Sequence, residues 1–548
     1  MSFIASLRPS RRNSAFFMTT TLLATALLSA CGGGDDVPVV KLVPPVVDSV
    51  VQAHRIGSVA ATVSRHEVQA ADNFYVPYEG SIAATKADFP KGFLPSYGSG
   101  LAFKARRADG TLEFYGLTDR GPNGDGPKVA AASPGTSSSD AKFFPSPSFA
   151  PAIGLITVGP EGAILQSSTP LRFSSSQQAT GLSIAPGKLG SSGEMPLSDG
   201  MRFDAAKANY SDFGLDTEGV VVDSARNTLW ISDEYGPFIV KVNATTGLIE
   251  KRYQPGTGQG DLPAVLAKRR ANRGAEGLAL DTSTGRLHTF LQSPLSDNLS
   301  TGTLAASFPG STVCNLDNGT GKRIERHARF TRWVEFDPTT ETSRMFAYPL
   351  DCNDWADGRT GNAKLGDVVS LGGGKFIVIE QGSAPSGKVI NRLMLVELGN
   401  ATNIAAAAFN PDTSDLEKSS LSGTAVNGAL FPSVVMMKKT VLFDLNAVGW
   451  VAEKAEGLAL VDGQTLALAN DNDFGLKSQL QTAAGEPVAG ADLSACTVDI
   501  LGNFITDAKT LGCTAGNTAR LVPGSDSERP NRLWIIKFDK LLASFSVP

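Results

Sequence analysis

Apolar residues occur along this chain in short runs that are separated by brief polar segments. Three of the runs share one plan, because each begins with Glu-Gly and ends in aspartate: Glu218–Asp223, Glu276–Asp281 and Glu456–Asp462. A short polar turn and a second apolar run follow in every case, at Thr228–Ser232, Arg286–Leu291 and Thr465–Ala469. Apolar runs bounded by turn residues are typical of strands, and their recurrence indicates an internal repeat.

Further segments rich in β-branched and aromatic residues predict more strands, at 114–118, 155–158, 238–242, 376–380, 393–397 and 533–538. Four such strands make one blade of a β-propeller. We therefore predict an all-β fold, a β-propeller in which six blades are favoured and seven are the alternative. Long loop insertions are expected at 131–150, 186–212, 296–325 and 399–430, and a short helix within Leu262–Arg273.

A two-domain arrangement is the alternative at 548 residues. The repeat, however, extends from before residue 220 to beyond residue 470, which favours one closed array. The 57 glycines and 31 prolines suit many strands joined by turns. A net charge of -5 without a basic stripe argues against nucleic-acid binding. The sequence contains no G-x-S-x-G, H-E-x-x-H or Walker A motif, which argues against a serine esterase, a zincin and a P-loop enzyme.

The N-terminus has the features of an export signal. Basic residues at 8, 11 and 12 precede an apolar stretch, which is followed by Leu28-Ser-Ala-Cys31. This tetrapeptide resembles the lipobox of bacterial lipoproteins, in which the cysteine is lipidated. We expect a signal peptide at 1–30, lipidation of Cys31, a flexible tether at 31–55 and the propeller domain at 56–548. An ordinary signal peptide that contains a cysteine is the alternative.

The expected location is therefore the bacterial cell envelope, with membrane association through the lipid. Gly32 after the cysteine favours the outer membrane, while the face of the membrane and the Sec or Tat route stay open. Four further cysteines in an exported chain indicate two disulfides. The most local of three pairings is Cys314 with Cys352 and Cys496 with Cys513. Zinc is the alternative, but no C-x-x-C or nearby histidine pair supports it.

Several motifs in this order resemble the phytase-like domain family, which is described as having esterase-like activity. They are Leu117–Asn123, Asp216–Gly219 with Ile231–Gly236, Asn272–Gly277, and Lys454–Gly457 with Ala469–Gly475. The resemblance covers roughly residues 90 to 540. It implies a β-propeller that hydrolyses phosphate esters, with calcium as the metal. It supplies no catalytic residues that could be transferred.

Acidic residues at equivalent positions of a propeller repeat converge on one mouth of the central channel. The glutamates Glu218, Glu276 and Glu456 should therefore meet there. Neighbouring motifs add further candidate metal ligands, namely Asp119, Asp233, Glu234, Asp471 and Asp473, and Glu380 is a weaker candidate. Calcium accepts six to eight oxygen ligands in irregular geometry. The alternative is structural, with each glutamate accepting backbone N–H groups or pairing with a nearby base.

Basic residues accompany these acids: Arg120 follows Asp119, Arg273 precedes Glu276, and Lys454 precedes Glu456. Such cations can bind a phosphate, while a metal polarises it and activates water. We therefore predict a metal-dependent phosphate ester hydrolase with Glu276, Glu456, Arg120, Arg273 and Lys454 as catalytic candidates.

Two alternatives stay open on the same scaffold. One is a calcium-dependent lactonase or carboxylester hydrolase, and the other is a non-enzymatic propeller that binds a glycan, peptide or protein. We expect a monomer that acts on a small molecule and binds no nucleic acid.

Overall fold

Antiparallel sheets of four strands dominate the computed structural model, which describes residues 40–130, 138–198, 210–296, 324–418, 431–507, 510 and 512–548. Three sheets have four strands each, and two further four-stranded units join edge to edge within a nine-stranded sheet. We number these units in chain order as blades. Blade 1 contains Gly100–Arg106, Leu112–Leu117, Ala152–Gly159 and Gly162–Pro170. Blade 2 contains Thr217–Asp223, Thr228–Asp233, Phe238–Val242 and Ile249–Tyr253.

The remaining blades follow the same plan. Blade 3 contains Ala275–Asp281, Arg286–Leu291, Phe330–Asp337 and Thr342–Pro349. Blade 4 contains Ala363–Gly372, Lys375–Ser383, Val389–Glu397 and Lys438–Asp444. Blade 5 contains Gly457–Asp462, Thr465–Ala469, Arg532–Phe538 and, from the other end of the chain, Gly57–Gln69.

The first strands of the blades contact one another in cyclic order, and that of blade 5 contacts that of blade 1. This contact is packing, because hydrogen bonds do not join the first strands into one sheet. Glycine permits it: a Cβ on Gly219 would lie 2.6 Å from the Leu278 nitrogen, and one on Gly277 2.7 Å from the Asp367 Cα. The Glu-Gly repeat thus marks the places where neighbouring blades approach most closely.

The predicted all-β propeller is confirmed, but the described strands form five blades, so the favoured count of six is wrong. Further described strands belong to no blade. They form small accessory sheets, with strands at Gly124–Asp125, Ala141–Phe143 and Met195–Leu197, at Lys128–Val129 and Thr497–Val498, at Leu476–Gln481 and Thr518–Pro523, and at Pro255–Gly256 and Leu262–Pro263.

The two ends of the folded chain meet in blade 5. Residues Ala61–Glu67 of the N-terminal strand pair antiparallel with Arg532–Phe538, and Val68 and Gln69 continue parallel to blade 1. Val46–His54 forms a further strand that pairs along its whole length with Gly57–Arg65. The expectation of a tether as far as residue 55 is therefore wrong, since this valine-rich segment already belongs to a sheet.

Helices are few and short in the described part of the chain. The α-helices are Ala83–Asp88, Ile324–His327 and Asp415–Lys418. The 3-10 helices are Asp72–Phe74, Ala264–Lys268, Cys352–Asp354, Ala356–Gly358, Thr360–Asn362, Ala407–Phe409, Asn446–Val448, Asp473–Gly475, Leu493–Ala495 and Leu542–Ser544. The predicted helix at Leu262–Arg273 is thus only the 3-10 helix Ala264–Lys268, held by the buried Val265 and Leu266. None of the described helices is long and apolar enough to span a membrane.

Separate apolar clusters fill the spaces between neighbouring blades, for example Phe290, Trp333 and Phe376 between blades 3 and 4. Another cluster lies under the accessory strands and contains the disulfide Cys496–Cys513, whose Cα atoms are 5.5 Å apart. This predicted pair is confirmed. Cys352 is also disulfide-bonded. Its expected partner Cys314 lies outside the described residues, as do Cys31 and the predicted signal peptide.

Candidate functional site

The three glutamates of the repeat line one cavity of about 390 Å³. Glu218 and Glu276 are the second residues of the first strands of blades 2 and 3, and Glu456 directly precedes the first strand of blade 5. All three are at most 8% exposed. The three glutamates therefore meet as the repeat predicts. Equivalent strand ends of different blades bring together residues that are far apart in sequence.

The cavity is strongly acidic. Its walls carry ten carboxylates, of Asp119, Asp125, Asp216, Glu218, Glu234, Glu276, Glu453, Glu456, Asp471 and Asp473. Five cations face them, from Arg120, Lys142, Arg273, Lys364 and Lys454. Of the predicted site residues, the structure brings all but Asp233 and the weaker candidate Glu380 into this cavity.

Three of the five cations each pair with a carboxylate on the wall. Lys142 Nζ lies 2.7 Å from Asp125 Oδ1, and Lys364 Nζ lies 3.1 Å from Glu453 Oε1. Lys454 Nζ contacts two carboxylates, at 2.5 Å from Asp471 Oδ2 and at 2.8 Å from Asp473 Oδ1. The charge of Lys454 is therefore already compensated.

Arg120 is also held by acids. Its Nη1 lies 2.9 Å from Glu194 Oε2, its Nε lies 3.5 Å from Asp216 Oδ2, and its backbone N–H donates to Asp216 Oδ1. Its side chain is only 5% exposed. Arg120 thus fixes Asp216 from two directions and has little surface left for a ligand.

Arg273 differs from the other four. Among the residues that the structure describes, no carboxylate lies within ion-pair distance of it, and its Nη1 donates to the side-chain carbonyl of Gln292. Gln292 in turn hydrogen-bonds Glu276. A neutral amide, and not a described carboxylate, therefore orients the guanidinium.

Five wall carboxylates form no ion pair with any described cation: Asp119, Glu218, Glu234, Glu276 and Glu456. Glu276 is the extreme case, because its Oε2 is buried and has no hydrogen-bond partner among the described residues. A buried carboxylate oxygen without a partner is costly, which points to a missing ligand or a bound proton.

Three carboxylates lie close enough to share one cation. Oxygens of Asp216, Glu218 and Glu234 all lie within 4.8 Å of one another, and the three residues are buried. An all-oxygen set of this kind suits a hard divalent cation such as calcium. Asp216 was not predicted, although it stands two residues before Glu218 in the same motif. Its position in that motif was the available signal.

Burial and mutual repulsion perturb these acids. Burial raises the pKa of Glu456 to about 8 and that of Glu234 to about 7. Burial, followed by repulsion from neighbouring carboxylates, raises the pKa values of Glu218 and Glu276 well above their usual range. Although burial opposes it, the Lys454 ammonium lowers the pKa of Asp471. Near neutral pH the cluster therefore needs protons or a cation.

Two predicted candidates have other roles. Asp233 accepts the backbone N–H of Asp216 at 2.7 Å and that of Gly236 at 2.8 Å, so it holds the neighbouring loop and does not line the cavity. Glu380 pairs with Lys439 within blade 4 and does not line the cavity either. Both side chains therefore make structural contacts outside the cavity. Sequence reasoning also missed cavity residues outside the repeat, namely Asn123, Asp125, Lys142, Asn272, Gln292, Lys364 and Glu453.

Solved structures give only distant similarities. The chain is 11% identical to the PQQ-bound aldose sugar dehydrogenase of Streptomyces coelicolor, covering 80% of this chain and 99% of that one with a TM-score of 0.24. It is 9% identical to an α-L-arabinofuranosidase of Podospora anserina (87% and 98% covered, TM-score 0.28). The Bacillus licheniformis GH43 protein BlXynB is 8% identical (92% and 99% covered, TM-score 0.29). Scores this low support no inference about function.

The sequence matches none of the curated proteins. A family model does match it over residues 99–474, and this range contains the blade 1 to blade 4 strands and every acid of the Asp216, Glu218 and Glu234 group. The chain therefore belongs to the phytase-like family, described as having the esterase-like activity of phytase.

Proposed function

We propose that this protein is a metal-dependent hydrolase of phosphate esters whose reaction takes place in the acidic cavity. One observation carries the proposal. Buried carboxylates without ion pairs line the same cavity as Arg273, which forms no ion pair with any described carboxylate. A divalent cation and a phosphoryl group are complementary to these two features, respectively.

Asp216, Glu218 and Glu234 would hold the cation, with Glu276 as a further ligand on account of its orphaned Oε2. Calcium is the first candidate, because the donors are all oxygens and come from several strands and loops. When bound, calcium supplies positive charge that polarises a phosphoryl oxygen and makes a bound water more acidic. Asp119, Asp471 and Asp473 lie in the same cavity, but Lys454 compensates the last two.

Arg273 would receive the phosphoryl group with its guanidinium. The planar fork of arginine matches two phosphate oxygens, and Gln292 keeps it oriented without neutralising it. Arg120 and Lys454, both also considered for this role, fit it less well because they hold Asp216, Asp471 and Asp473. Their proposed role is to fix the carboxylates.

Glu456 would carry a proton for the leaving oxygen. Burial raises its pKa to about 8, so the carboxyl group retains a proton near neutral pH, as a general acid requires. Glu456 and Glu276 line the same cavity but come from blades 5 and 3, so different blades would supply the proton carrier and this cation ligand.

The direct test is phosphate release from a panel of monoesters, with calcium and with a chelator, beside carboxylic esters and lactones of similar size. Calcium-dependent phosphate release that Glu276→Gln abolishes, with an unchanged circular dichroism spectrum, is the expected result. Glu161→Gln, an exposed glutamate on blade 1, serves as the matched control. Hydrolysis of carboxylic esters alone, or of no ester, would refute the proposal.

We also propose that the protein is anchored in the bacterial cell envelope through a lipid on Cys31. The basis is the lipobox-like Leu28-Ser-Ala-Cys31 at the end of an apolar segment. Cys31→Ser should release the protein from the membrane fraction into the soluble fraction of cells. Retention of the variant in the membrane fraction would contradict the anchor.

A further inference from the structure

A pocket of about 410 Å³ lies at one end of blade 5. The strands Thr465–Ala469 and Gly57–Gln69 end there and the strand Arg532–Phe538 begins there, and residues at these three strand ends line the pocket. Its volume is that of a site for a small ligand. None of its lining residues lines the acidic cavity, so the proposed function leaves this pocket unused.

One loop borders both spaces. Asp471 and Asp473 line the acidic cavity, whereas Asn472 between them lines the pocket. Asp473 and Phe474 have φ values of 47° and 52°, in the left-handed region that is uncommon for residues other than glycine. Such conformations persist where the surrounding structure holds them, and here the buried Phe474 packs against Phe149. The packed loop therefore assigns Asn472 and its two neighbours to different spaces.

The amide of Asn472 lacks one hydrogen bond. This residue is only 3% exposed. Its Nδ2 donates to the backbone carbonyl of Arg529 at 2.9 Å and to that of Pro95 at 3.5 Å, and these two acceptors define the orientation of the amide. Its Oδ1 is buried and has no hydrogen-bond partner among the described residues. Buried polar atoms are normally paired, so a donor is missing at this point.

The buried part of the pocket wall is neutral. The lining residues that are buried carry no charge, namely Val68, Pro95 and Asn472. The charged lining residues are all exposed to solvent, namely Glu67, Asp526 and Arg529. A charged ligand would lose water against a neutral wall, which costs free energy. The pocket therefore suits a neutral ligand that carries a hydrogen-bond donor.

Hydroxyl groups match the polar part of this lining. A hydroxyl both donates and accepts, so it can donate to Asn472 Oδ1 while other hydroxyls of the same ligand accept from the amides of Gln69 and Asn531, which also line the pocket. Tyr75 and Pro530 add aromatic and apolar surface. A small number of polar groups on an otherwise apolar wall is the usual composition of a site for a small molecule.

We propose that this pocket is a second binding site of the protein, for a neutral sugar unit. A sugar ring combines several hydroxyl groups with apolar C–H faces, and the lining offers a partner for each. The site does not rest on the proposed phosphate ester hydrolysis, since the pocket and the acidic cavity share no lining residue. Sugar binding and phosphate release are therefore tested independently.

The first experiment titrates the whole protein with the methyl glycosides of glucose, galactose and N-acetylglucosamine and observes binding by saturation-transfer NMR. The methyl glycosides of glucosamine and glucuronic acid present a similar ring with a positive and a negative charge, respectively. At least one neutral glycoside should bind at millimolar concentrations, and both charged ones should bind at least about fivefold more weakly than the best neutral one. No binding of any neutral glycoside, or equal binding of the charged ones, would overturn the site.

The second experiment changes the pocket. Asn472→Ala removes the unpartnered acceptor and should weaken binding of the best neutral glycoside about fivefold, the usual effect of losing one neutral hydrogen bond. Asn400→Ala, at an exposed asparagine that lines neither the pocket nor the acidic cavity, is the matched control and should keep the wild-type affinity. Because Asn472 also holds its own loop, Tyr75→Ala tests the pocket from outside that loop and should weaken binding too. Wild-type affinity in either pocket variant with a wild-type circular dichroism spectrum would overturn the site.

The third experiment separates the pocket from the acidic cavity by competition. Under the proposed function, calcium with inorganic phosphate occupies the acidic cavity, so the two together should not displace the bound glycoside. Displacement would place the sugar in the acidic cavity and overturn the separate site. Phosphate release from esters without sugar binding refutes the pocket and keeps the proposed function, whereas sugar binding without hydrolysis of any ester does the reverse.

Discussion

Asp367 Oδ2 accepts a hydrogen bond from the backbone N–H of Leu458 across 3.0 Å, and this contact ties blade 4 to blade 5. The other oxygen of the same carboxylate accepts the N–H of Leu278 in blade 3 at 3.1 Å and that of Val368 at 2.8 Å. The backbone N–H of Leu101 in blade 1 also donates to the Asp367 carboxylate. One buried side chain thus connects the first strands of four blades.

Replacing Asp367 with alanine should therefore destabilise the protein by about 3–5 kcal/mol, because several buried N–H groups lose their acceptor at once. Urea denaturation measures the change in the free energy of unfolding. Asp526→Ala is the control, since the side chain of Asp526 is fully exposed and its loss should change stability by less than about 0.5 kcal/mol. Similar midpoints for the two variants would show that Asp367 does not hold the blades together.

The role of Asp367 was not predictable from the repeat. Its strand reads Leu365-Gly-Asp, with the glycine before the acid instead of after it, so it does not match the Glu-Gly pattern of the other blades. The carboxylate here performs the structural task that was the alternative for the glutamates. Convergence of Glu218, Glu276 and Glu456 was predictable, because it follows from equivalent positions in a closed array.

Pairing within the site could not be read from the sequence. Lys454 stands two residues before Glu456, yet its ammonium contacts Asp471 and Asp473, which follow the next strand. Arg273 is close to Glu276 in sequence, yet the two side chains are connected through Gln292, which directly follows the strand Arg286–Leu291 and hydrogen-bonds both. Which partner each cation contacts depends on the directions in which side chains of different blades point. The blade count was wrong for a different reason: each predicted strand does belong to a blade, but the sequence does not show how many four-stranded units close the ring.

Calcium should stabilise the folded protein. A ligand present at a hundred times its dissociation constant adds about 2.7 kcal/mol to the free energy of unfolding, provided that it binds only the folded state. Glu218→Gln should remove most of this gain, because Glu218 belongs to the group with oxygens within 4.8 Å of one another. Thermal unfolding with calcium and with a chelator measures the effect, and Glu161→Gln should behave like the wild-type protein. An identical calcium response in Glu218→Gln would exclude this cation site.

Without calcium, the protein should lose stability as the pH rises. The pKa of Glu456 is about 8 in the folded state, against about 4.3 for an unperturbed glutamate. Between these values the folded state binds more protons than the unfolded state, so the free energy of unfolding falls with pH. Below about pH 4 the penalty is absent, and above pH 8 it is complete. The pKa of Glu234, about 7, acts in the same direction.

Urea denaturation of chelator-treated protein at pH 5, 6.5 and 8 measures this slope. The expected loss is on the order of a few kcal/mol, since each unit of displaced pKa corresponds to about 1.4 kcal/mol. Glu456→Gln should lose less stability over the same range, and excess calcium should flatten the slope of the wild-type protein. Stability that rises between pH 5 and pH 8 would contradict the buried, proton-holding state of Glu456.

Arg273 and Lys454 should separate catalysis from stability, although both are cations on the wall of the same cavity. Arg273→Gln removes a guanidinium that hydrogen-bonds a neutral amide and forms no ion pair with the described residues, so the free energy of unfolding should change by less than about 1 kcal/mol. The value of kcat/KM for a phosphate ester should fall about a hundredfold, because the charge that faces the phosphoryl group is gone.

Lys454→Gln, unlike Arg273→Gln, should clearly lower the free energy of unfolding. It leaves the buried Asp471 without its cation, while Lys454 itself is 25% exposed and Asp473 is 51% exposed. Removing the charged partner of one buried carboxylate in such a partly exposed group costs about 1–3 kcal/mol. Steady-state kinetics and urea denaturation on both variants measure the contrast. If Lys454→Gln folded with wild-type stability and lost turnover as fully as Arg273→Gln, both cations would act on the substrate, and the assignment of Lys454 to fixing the carboxylates would be wrong.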